Sequence, residues 1–275
     1  MRTRHFVAVA VTISLFMLLG CAEATHAGRP ERSAAGSRPP LGPRTILLVH
    51  GAFADGSSWD RVVERLTAQG YNVVAVHEPL TSLADDVAAT LRAIDAEPGQ
   101  TLLVGHSYGG AVITEAGNHE KVVGLVYVAA FAPDSGESIN MLGKGQPPPP
   151  WVKALRVDTG GFARLPPDVV AADFAQDLPA EQARVLASKQ GPIFARNFDD
   201  KVTTAAWHLK PSWYVRATHD HMIDPGAQLF MASRIQATLT SVDASHVVMV
   251  SHPDAVANAI LAAAAAEGEH AAASR

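Results

Sequence analysis

A single serine lies where an apolar strand, a tight turn and a helix are predicted to meet. Gly105-His106-Ser107-Tyr108-Gly109 follows the apolar run 101–104 and leads into the apolar segment 110–116. The glycines two positions before and after Ser107 remove the Cβ atoms that would clash where strand and helix approach each other. The pattern therefore predicts a strained turn that presents the Ser107 hydroxyl at the carboxyl edge of a sheet, beside the positive end of a helix dipole.

Short apolar runs alternate with helical patterns on both sides of this turn. The predicted strands are 45–49, 71–76, 101–104, 122–128, 213–217 and 238–242. The predicted helices are 59–69, 83–96, 108–118, 225–235 and 254–266. This alternation favours an α/β fold with a parallel sheet of about six strands and helices on both faces.

The alternation breaks between residues 134 and 210. This stretch is rich in proline and glycine and carries scattered aromatic residues, with helical patterns at 168–176 and 180–189. We interpret it as a helical cap inserted over the edge of the sheet. The core is then formed by residues 44–133 and 211–267.

The N-terminus has the pattern of an export signal. Arg2 and Arg4 precede an apolar run, 6–19, that is shorter than the about 20 residues of a membrane span. The run ends at Gly20-Cys21, which holds the single cysteine of the chain, so residues 1–20 resemble a bacterial lipoprotein signal with Cys21 as the lipidation site. Cleavage after Ala24 is the alternative. We expect an exported protein, lipid-anchored through Cys21 or otherwise periplasmic or secreted.

Both ends of the mature chain are predicted to lack stable structure. Residues 21–43, rich in Ala, Gly, Ser and Pro, are expected to form a flexible tether, and residues 268–275 a disordered tail. With one cysteine, no internal disulfide is expected. A net charge of −5 does not favour nucleic-acid binding, and we expect a membrane contact only through the lipid anchor.

A serine hydroxyl needs a neighbouring base before it is a nucleophile at neutral pH. Asp220 and His246 each follow the end of a predicted strand, as Ser107 does, so the three side chains are expected at one edge of the sheet. Asp220 would orient the imidazole, and His246 would take the Ser107 proton and later deliver one to the leaving group.

Two backbone N–H groups are predicted to stabilise the oxyanion that such chemistry forms. Tyr108 directly follows the candidate nucleophile, and Ala52 lies in the turn His50-Gly51-Ala52-Phe53 after the first strand. Phe53 is the alternative to Ala52.

Other polar residues in the same loops are alternatives to these. Asp224 is the alternative acid, although its place at a helix start suits an N-cap, and His252 is the alternative base. His219, Asp220, His221 and Asp224 could suggest a metal site, but neighbouring side chains on a loop tip diverge. We therefore predict no metal and no cofactor.

With these residues in place, the chain resembles the α/β-hydrolase superfamily from about residue 45 to 266. The His50-Gly51-Ala52-Phe53 turn and the Gly105–Gly110 segment are similar to the branch of plant methyl-ester esterases, hydroxynitrile lyases and related bacterial esterases. The resemblance implies a nucleophile, acid and base at Ser107, Asp220 and His246.

Some activities of this superfamily do not fit the residues. Hydroxynitrile lyases of this branch carry threonine and lysine where this chain has Gly51 and Val247, and haloalkane dehalogenases use aspartate where it has Ser107. We expect a serine hydrolase acting on carboxylic esters of small to medium apolar substrates. The alternatives are cofactor-free perhydrolase (haloperoxidase-type) or C–C hydrolase chemistry on the same three residues, or a non-catalytic ligand-binding protein.

Overall fold

The computed structural model describes residues 42–273, and its strands form two sheets. The strands are β1 (Thr45–Val49), β2 (Asn72–Val76), β3 (Thr101–His106), β4 (Val122–Val128), β5 (Arg156–Val157), β6 (Phe162–Arg164), β7 (Ile193–Phe194), β8 (Ser212–Ala217) and β9 (Thr238–Val242). The larger sheet is parallel, with strand order β2-β1-β3-β4-β8-β9. The predicted fold, a six-stranded parallel sheet with helices, is confirmed.

Helices lie between successive strands of the parallel sheet along the chain, and further helices follow its last strand. They are α1 (Asp60–Ala68), α2 (Leu83–Ala96), α3 (Gly109–Ala116), α4 (Ile139–Leu142), α5 (Pro167–Val169), α6 (Ala180–Lys189), α7 (Pro225–Arg234), α8 (Val248–Ser251) and α9 (Pro253–Ala273). The central strands β1 and β3 are buried along their whole length, because helices cover both faces of the sheet. Four strands end near the site described below: β1, β3, β8 and β9.

Glycines make the turn between β3 and α3 possible. Ser107 adopts φ of 52°, a strained value for a residue with a side chain. A Cβ on Gly105 would lie 2.5 Å from the carbonyl oxygen of Gly109, and a Cβ on Gly110 would lie 2.2 Å from that of Phe131. The strand and the helix can therefore meet at Ser107 only because these positions carry no side chain.

The segment predicted as a helical cap differs from its prediction in two ways. It contains a small antiparallel sheet, in the order β5-β6-β7, which the sequence did not predict because its strands have only two or three residues. The predicted helix 168–176 is also wrong in form, since one turn of α5 passes into a π-helical turn at Val170–Phe174. The helix predicted at 180–189 is present as α6.

The C-terminal helix is longer than predicted. α9 continues to Ala273. Residues 268–273 are therefore helical, and the expected disordered tail is wrong for these residues. The reason is tertiary packing, because Glu267 and Gly268 are buried and a Cβ on Gly42 would lie 2.3 Å from the carbonyl oxygen of Ala264. No helix within residues 42–273 is long and apolar enough to span a bilayer. The predicted signal peptide, Cys21 and nearly all of the tether lie outside the described residues.

We predict that Gly110→Ala destabilises the protein by about 2 kcal/mol or more, because the new methyl group overlaps a backbone oxygen that cannot move away cheaply. Gly99→Ala is the matched control, since a Cβ there meets no atom within 4 Å. Chemical denaturation of both variants measures the difference. Equal stability of the two variants would contradict the role assigned to Gly110.

Candidate active site

The candidate acid and base meet in a buried hydrogen bond. His246 follows β9 and Asp220 follows β8, and the structure brings His246 Nδ1 to 2.7 Å from Asp220 Oδ2. Both side chains are almost fully buried. A carboxylate oxygen accepts, so Nδ1 carries the hydrogen, which leaves Nε2 of the same ring as the basic nitrogen.

The Asp220 carboxylate is held by several further donors. Its Oδ1 accepts the backbone N–H groups of Met222 at 2.7 Å and Ile223 at 3.0 Å, and its Oδ2 also accepts from Gln228 Nε2 at 2.7 Å. Gln228 is fully buried and its Oε1 accepts the N–H of Ala217, the last residue of β8. Sequence reasoning missed Gln228, whose only signal was an amide placed one turn into α7.

Ser107 is connected to this pair through its neighbour His106. The Ser107 backbone N–H donates to Val128, and its carbonyl accepts from Gly110 and Phe131, so the turn is tied to both β4 and α3. His106 Nε2 lies 3.0 Å from the carbonyl oxygen of His246, and the two rings are 4.7 Å apart. The turn that holds Ser107 and the loop that holds His246 are therefore joined beneath the candidate site.

His106 is a neutral donor in this contact. Burial lowers the pKa of His106 well below its usual range, and the positive charge that His246 can carry acts in the same direction. Since a carbonyl oxygen only accepts, Nε2 holds the hydrogen. His106 therefore joins the turn that holds Ser107 to the loop that holds His246 by donating to the His246 carbonyl.

The predicted oxyanion donors lie beside Ser107. A Cβ on Gly51 would be only 2.7 Å from the Ser107 Cβ, so the turn after β1 passes directly against the serine. Within residues 42–273, the backbone N–H groups of Ala52, Phe53 and Tyr108 donate to no acceptor. Phe53 has φ of 62°. Ala52 and Phe53 both stay open as the second donor beside Tyr108.

A second buried polar group contacts the residue that follows Ser107. The Tyr108 hydroxyl donates to Asp86 Oδ2 at 2.7 Å, and Asp86 Oδ1 accepts the N–H of Leu80 at 2.7 Å. Burial raises the pKa of Asp86 to about 6, although both hydrogen bonds act to lower it. Nearby, burial raises the pKa of Glu78 well above its usual range, and this carboxyl lies 3.7 Å from the ring of His50. Sequence reasoning identified neither acid.

Three aromatic residues of the cap approach the candidate site. Phe174 lies 5.2 Å from the His246 ring. Trp151 and Phe198 lie 6.2 and 6.4 Å from the ring of Phe53. The surroundings of the candidate site are therefore aromatic on the base side and on the oxyanion side.

The alternative residues take other partners. Asp224 caps α7, where its Oδ1 accepts the N–H of Ala227 at 2.9 Å. His252 lies near Asp177, His219 pairs with Asp243, and His221 pairs with Asp173. In the described part of the chain, no group of three or more His, Cys, Asp or Glu side chains is arranged to hold a metal ion.

Comparison with known proteins agrees with this architecture. The model of the alpha/beta hydrolase family matches residues 46–259. The alpha/beta hydrolase nvfD of Aspergillus novofumigatus is 31% identical, with 80% of this chain and 96% of that protein aligned. A pyrethroid hydrolase of Sphingobium wenxiniae is 28% identical over 82% of this chain and 89% of its own.

The fold also matches a solved structure, an extracellular alpha/beta-hydrolase from a Paenibacillus species. The TM-score is 0.71 at 20% identity, and the match covers 81% of this chain and 99% of that one. The chain belongs to the α/β hydrolase family and is a hydrolase with an ester-hydrolysis role.

We predict that Asp86→Asn changes the pH dependence of stability between pH 4 and 6. The folded-state pKa of about 6 exceeds the usual aspartate value, so the wild-type protein loses stability as this carboxyl ionises with rising pH. As the pH rises from 4 to 6, the free energy of unfolding of the variant should increase by roughly 1 to 3 kcal/mol relative to that of the wild type. Denaturation at pH 4, 5 and 6 measures it.

The control for this experiment is Asp168→Asn, which removes the same charge from an exposed residue. We expect its stability to follow that of the wild type across the window. If the Asp86→Asn curve also runs parallel to the wild type, Asp86 does not titrate as its surroundings imply.

Proposed function

We propose that the protein is a serine hydrolase that cleaves carboxylic esters of small to medium apolar substrates through an acyl-enzyme on Ser107. The observation that carries this proposal is the buried hydrogen bond between His246 Nδ1 and Asp220 Oδ2, at the sheet edge where the Ser107 turn also lies. A histidine fixed in this way has one tautomer and one free basic nitrogen, as a general base for serine requires.

In the first half of the proposed reaction, Ser107 attacks the ester carbonyl while His246 takes the hydroxyl proton on Nε2. Asp220 stabilises the imidazolium that forms and stays ionised itself. The backbone N–H of Tyr108, with that of Ala52 or Phe53, donates to the oxyanion of the tetrahedral intermediate. His246 then returns the proton to the departing alcohol oxygen, and Ser107 remains acylated.

In the second half, water replaces the alcohol. His246 removes a proton from the water as its oxygen attacks the acyl carbon, and the same N–H groups bind the second oxyanion. Collapse of this intermediate breaks the bond to Ser107 Oγ, which takes the proton back from His246. The products are the carboxylic acid and the free enzyme, and the proposed reaction uses no cofactor.

The preference for apolar substrates rests on the aromatic surroundings of the candidate site. Phe174, Trp151 and Phe198 offer large apolar surfaces next to His246 and Phe53, which favour an apolar acyl or alcohol group over a charged one. The similarity to a pyrethroid hydrolase points in the same direction.

We predict that a fluorophosphonate probe labels the wild-type protein at Ser107 and that Ser107→Ala abolishes both the labelling and ester turnover. The probe reacts only with a serine activated by its base. Peptide mapping after labelling identifies the modified residue. A panel of esters with graded acyl and alcohol lengths measures turnover.

Other outcomes of this experiment would favour the other functions. Turnover of acetate with peroxide, without ester turnover, would favour a perhydrolase. An unlabelled protein that turns over no ester and binds ligands equally well as Ser107→Ala would favour a binding protein.

We predict that Asp220→Asn lowers kcat by about 1,000-fold to 10,000-fold, because the amide no longer selects the tautomer with a free Nε2. Asp224→Asn is the matched control, since it makes the same change four residues away, at a helix cap. Steady-state kinetics on one ester compare them. A large loss in Asp224→Asn with a small loss in Asp220→Asn would assign the acid to Asp224 instead.

A further inference from the structure

One short segment of the cap contacts the loop that holds the proposed base. Asp177 Oδ2 accepts the backbone N–H of Ser245 at 2.9 Å, and Ser245 is the residue directly before His246. The same carboxylate oxygen lies 4.0 Å from the ring of His252, which follows α8. Asp177 therefore touches the chain on both sides of His246.

The neighbouring cap residue contacts the loop that holds the proposed acid. Gln176 Nε2 donates to the carbonyl of His219 at 2.6 Å, and His219 is the residue directly before Asp220. Two adjacent cap residues thus hold the acid and base loops at corresponding positions. The two loops also contact each other, because the N–H of His219 donates to the carbonyl of Ala244 at 3.1 Å.

The ring of Phe174 completes this contact. It is 2% exposed and lies 5.2 Å from the imidazole of His246. Phe174 is the last residue of the π-helical turn and comes three residues before Asp177. Single π-helical turns are frequent at functional sites because they change the direction of the side chains that follow.

Asp177 supplies the acceptor for a buried N–H group in the loop that holds His246. Ser245 is fully buried, and it lies beyond Val242, the last residue of β9, so no sheet partner can accept its N–H. A buried N–H without an acceptor is costly. Within residues 42–273, Asp177 is the acceptor for this N–H, and a charged acceptor makes the stronger hydrogen bond.

We propose that Asp177 is a positioning residue for His246, acting through the N–H of Ser245, and that Gln176 acts in the same way on Asp220 through His219. The inference rests on the proposed function, since it assigns His246 and Asp220 their roles. Its consequence is that docking of the cap sets the geometry of the base. Cap substitutions at this contact change the rate constant of the chemical step even for substrates too small to touch the cap.

The test compares Asp177→Ala with Asp177→Asn on p-nitrophenyl acetate, in the full chain. Asp177→Ala should lower kcat by about 10-fold to 100-fold with little change in KM, because the imidazole is displaced while acetate makes no use of the apolar surroundings. The kcat of Asp177→Asn should stay within about threefold of the wild-type value, because the amide oxygen can still accept the Ser245 N–H. The rate of fluorophosphonate labelling should change by the same factors.

Asp168→Ala is the matched control, since it removes a carboxylate from an exposed cap position that makes no hydrogen bond within the described residues. We expect wild-type kinetics from it. Three results would overturn the proposal: wild-type kcat in Asp177→Ala, an equal loss in Asp177→Asn, or a rise in KM with kcat unchanged. The last would place Asp177 at the substrate and not behind the base.

A spectroscopic measurement separates this inference from the proposed function. The Nδ1–H proton of His246, hydrogen-bonded to Asp220, should give a downfield proton NMR signal that Asp177→Ala broadens or shifts and Asp177→Asn retains. If the wild-type protein neither labels at Ser107 nor cleaves any ester, the proposed function fails, while this signal still decides whether Asp177 positions His246. An unchanged signal in Asp177→Ala overturns the inference.

A second variant covers the case in which Asp177→Ala does not fold. Gln176→Ala removes the contact to His219 and leaves a carbonyl that water can satisfy, so we expect a smaller fall in kcat, about threefold to tenfold. Wild-type kcat in a folded Gln176→Ala protein would then count against the cap as a positioning element.

Discussion

The close approach of β3, α3 and the turn after β1 is the constraint on which the rest of the site depends. A Cβ on Gly109 would lie 2.6 Å from the carbonyl oxygen of His50, and one on Gly51 would lie 2.7 Å from the Ser107 Cβ. The nucleophile and the N–H groups of both turns are therefore fixed relative to each other by backbone packing. Side chains at these glycines would separate the two turns, and the strained φ of Ser107 persists only because the surrounding structure determines it.

Buried polar side chains support this backbone from beneath. His106 connects the Ser107 turn to the base loop through the carbonyl of His246, and Asp86 connects it to the loop before α2 through the hydroxyl of Tyr108. Buried groups of this kind are costly when they lack partners, so each bond favours one arrangement of the loops over others. We infer that the polar groups beneath the turn serve geometry, in contrast to the chemical roles proposed for Asp220 and His246.

The sequence predicted the features that depend on local pattern. All six strands of the parallel sheet and the helix α2 follow from periodicity. Asp220 and His246 each follow a strand end and lie within hydrogen-bond distance, and their catalytic roles stay predictions. Contacts between distant segments could not be predicted in this way. Asp86 lies 22 residues before Tyr108, and Asp177 lies 68 residues before Ser245, and nothing near them in the sequence indicates a partner. The end of α9 was missed for the same reason, because tertiary packing determines it. The cap sheet was missed because strands of two or three residues are too short to show an alternating pattern.

The core and the cap thus contribute different parts of the candidate site. Backbone of the core fixes Ser107 and the N–H groups proposed as oxyanion donors, whereas the ring of His246 lies 4.7 Å from that of His106 in the core and 5.2 Å from that of Phe174 in the cap. A buried ring with two such neighbours and with Nδ1 bonded to Asp220 has few orientations left, and these keep Nε2 directed away from Asp220. Because Phe174 and Asp177 belong to one cap segment, we expect a change in the cap that widens the apolar surroundings also to loosen the loop that holds His246. On the proposed function, substrate range and rate constant would for that reason be coupled.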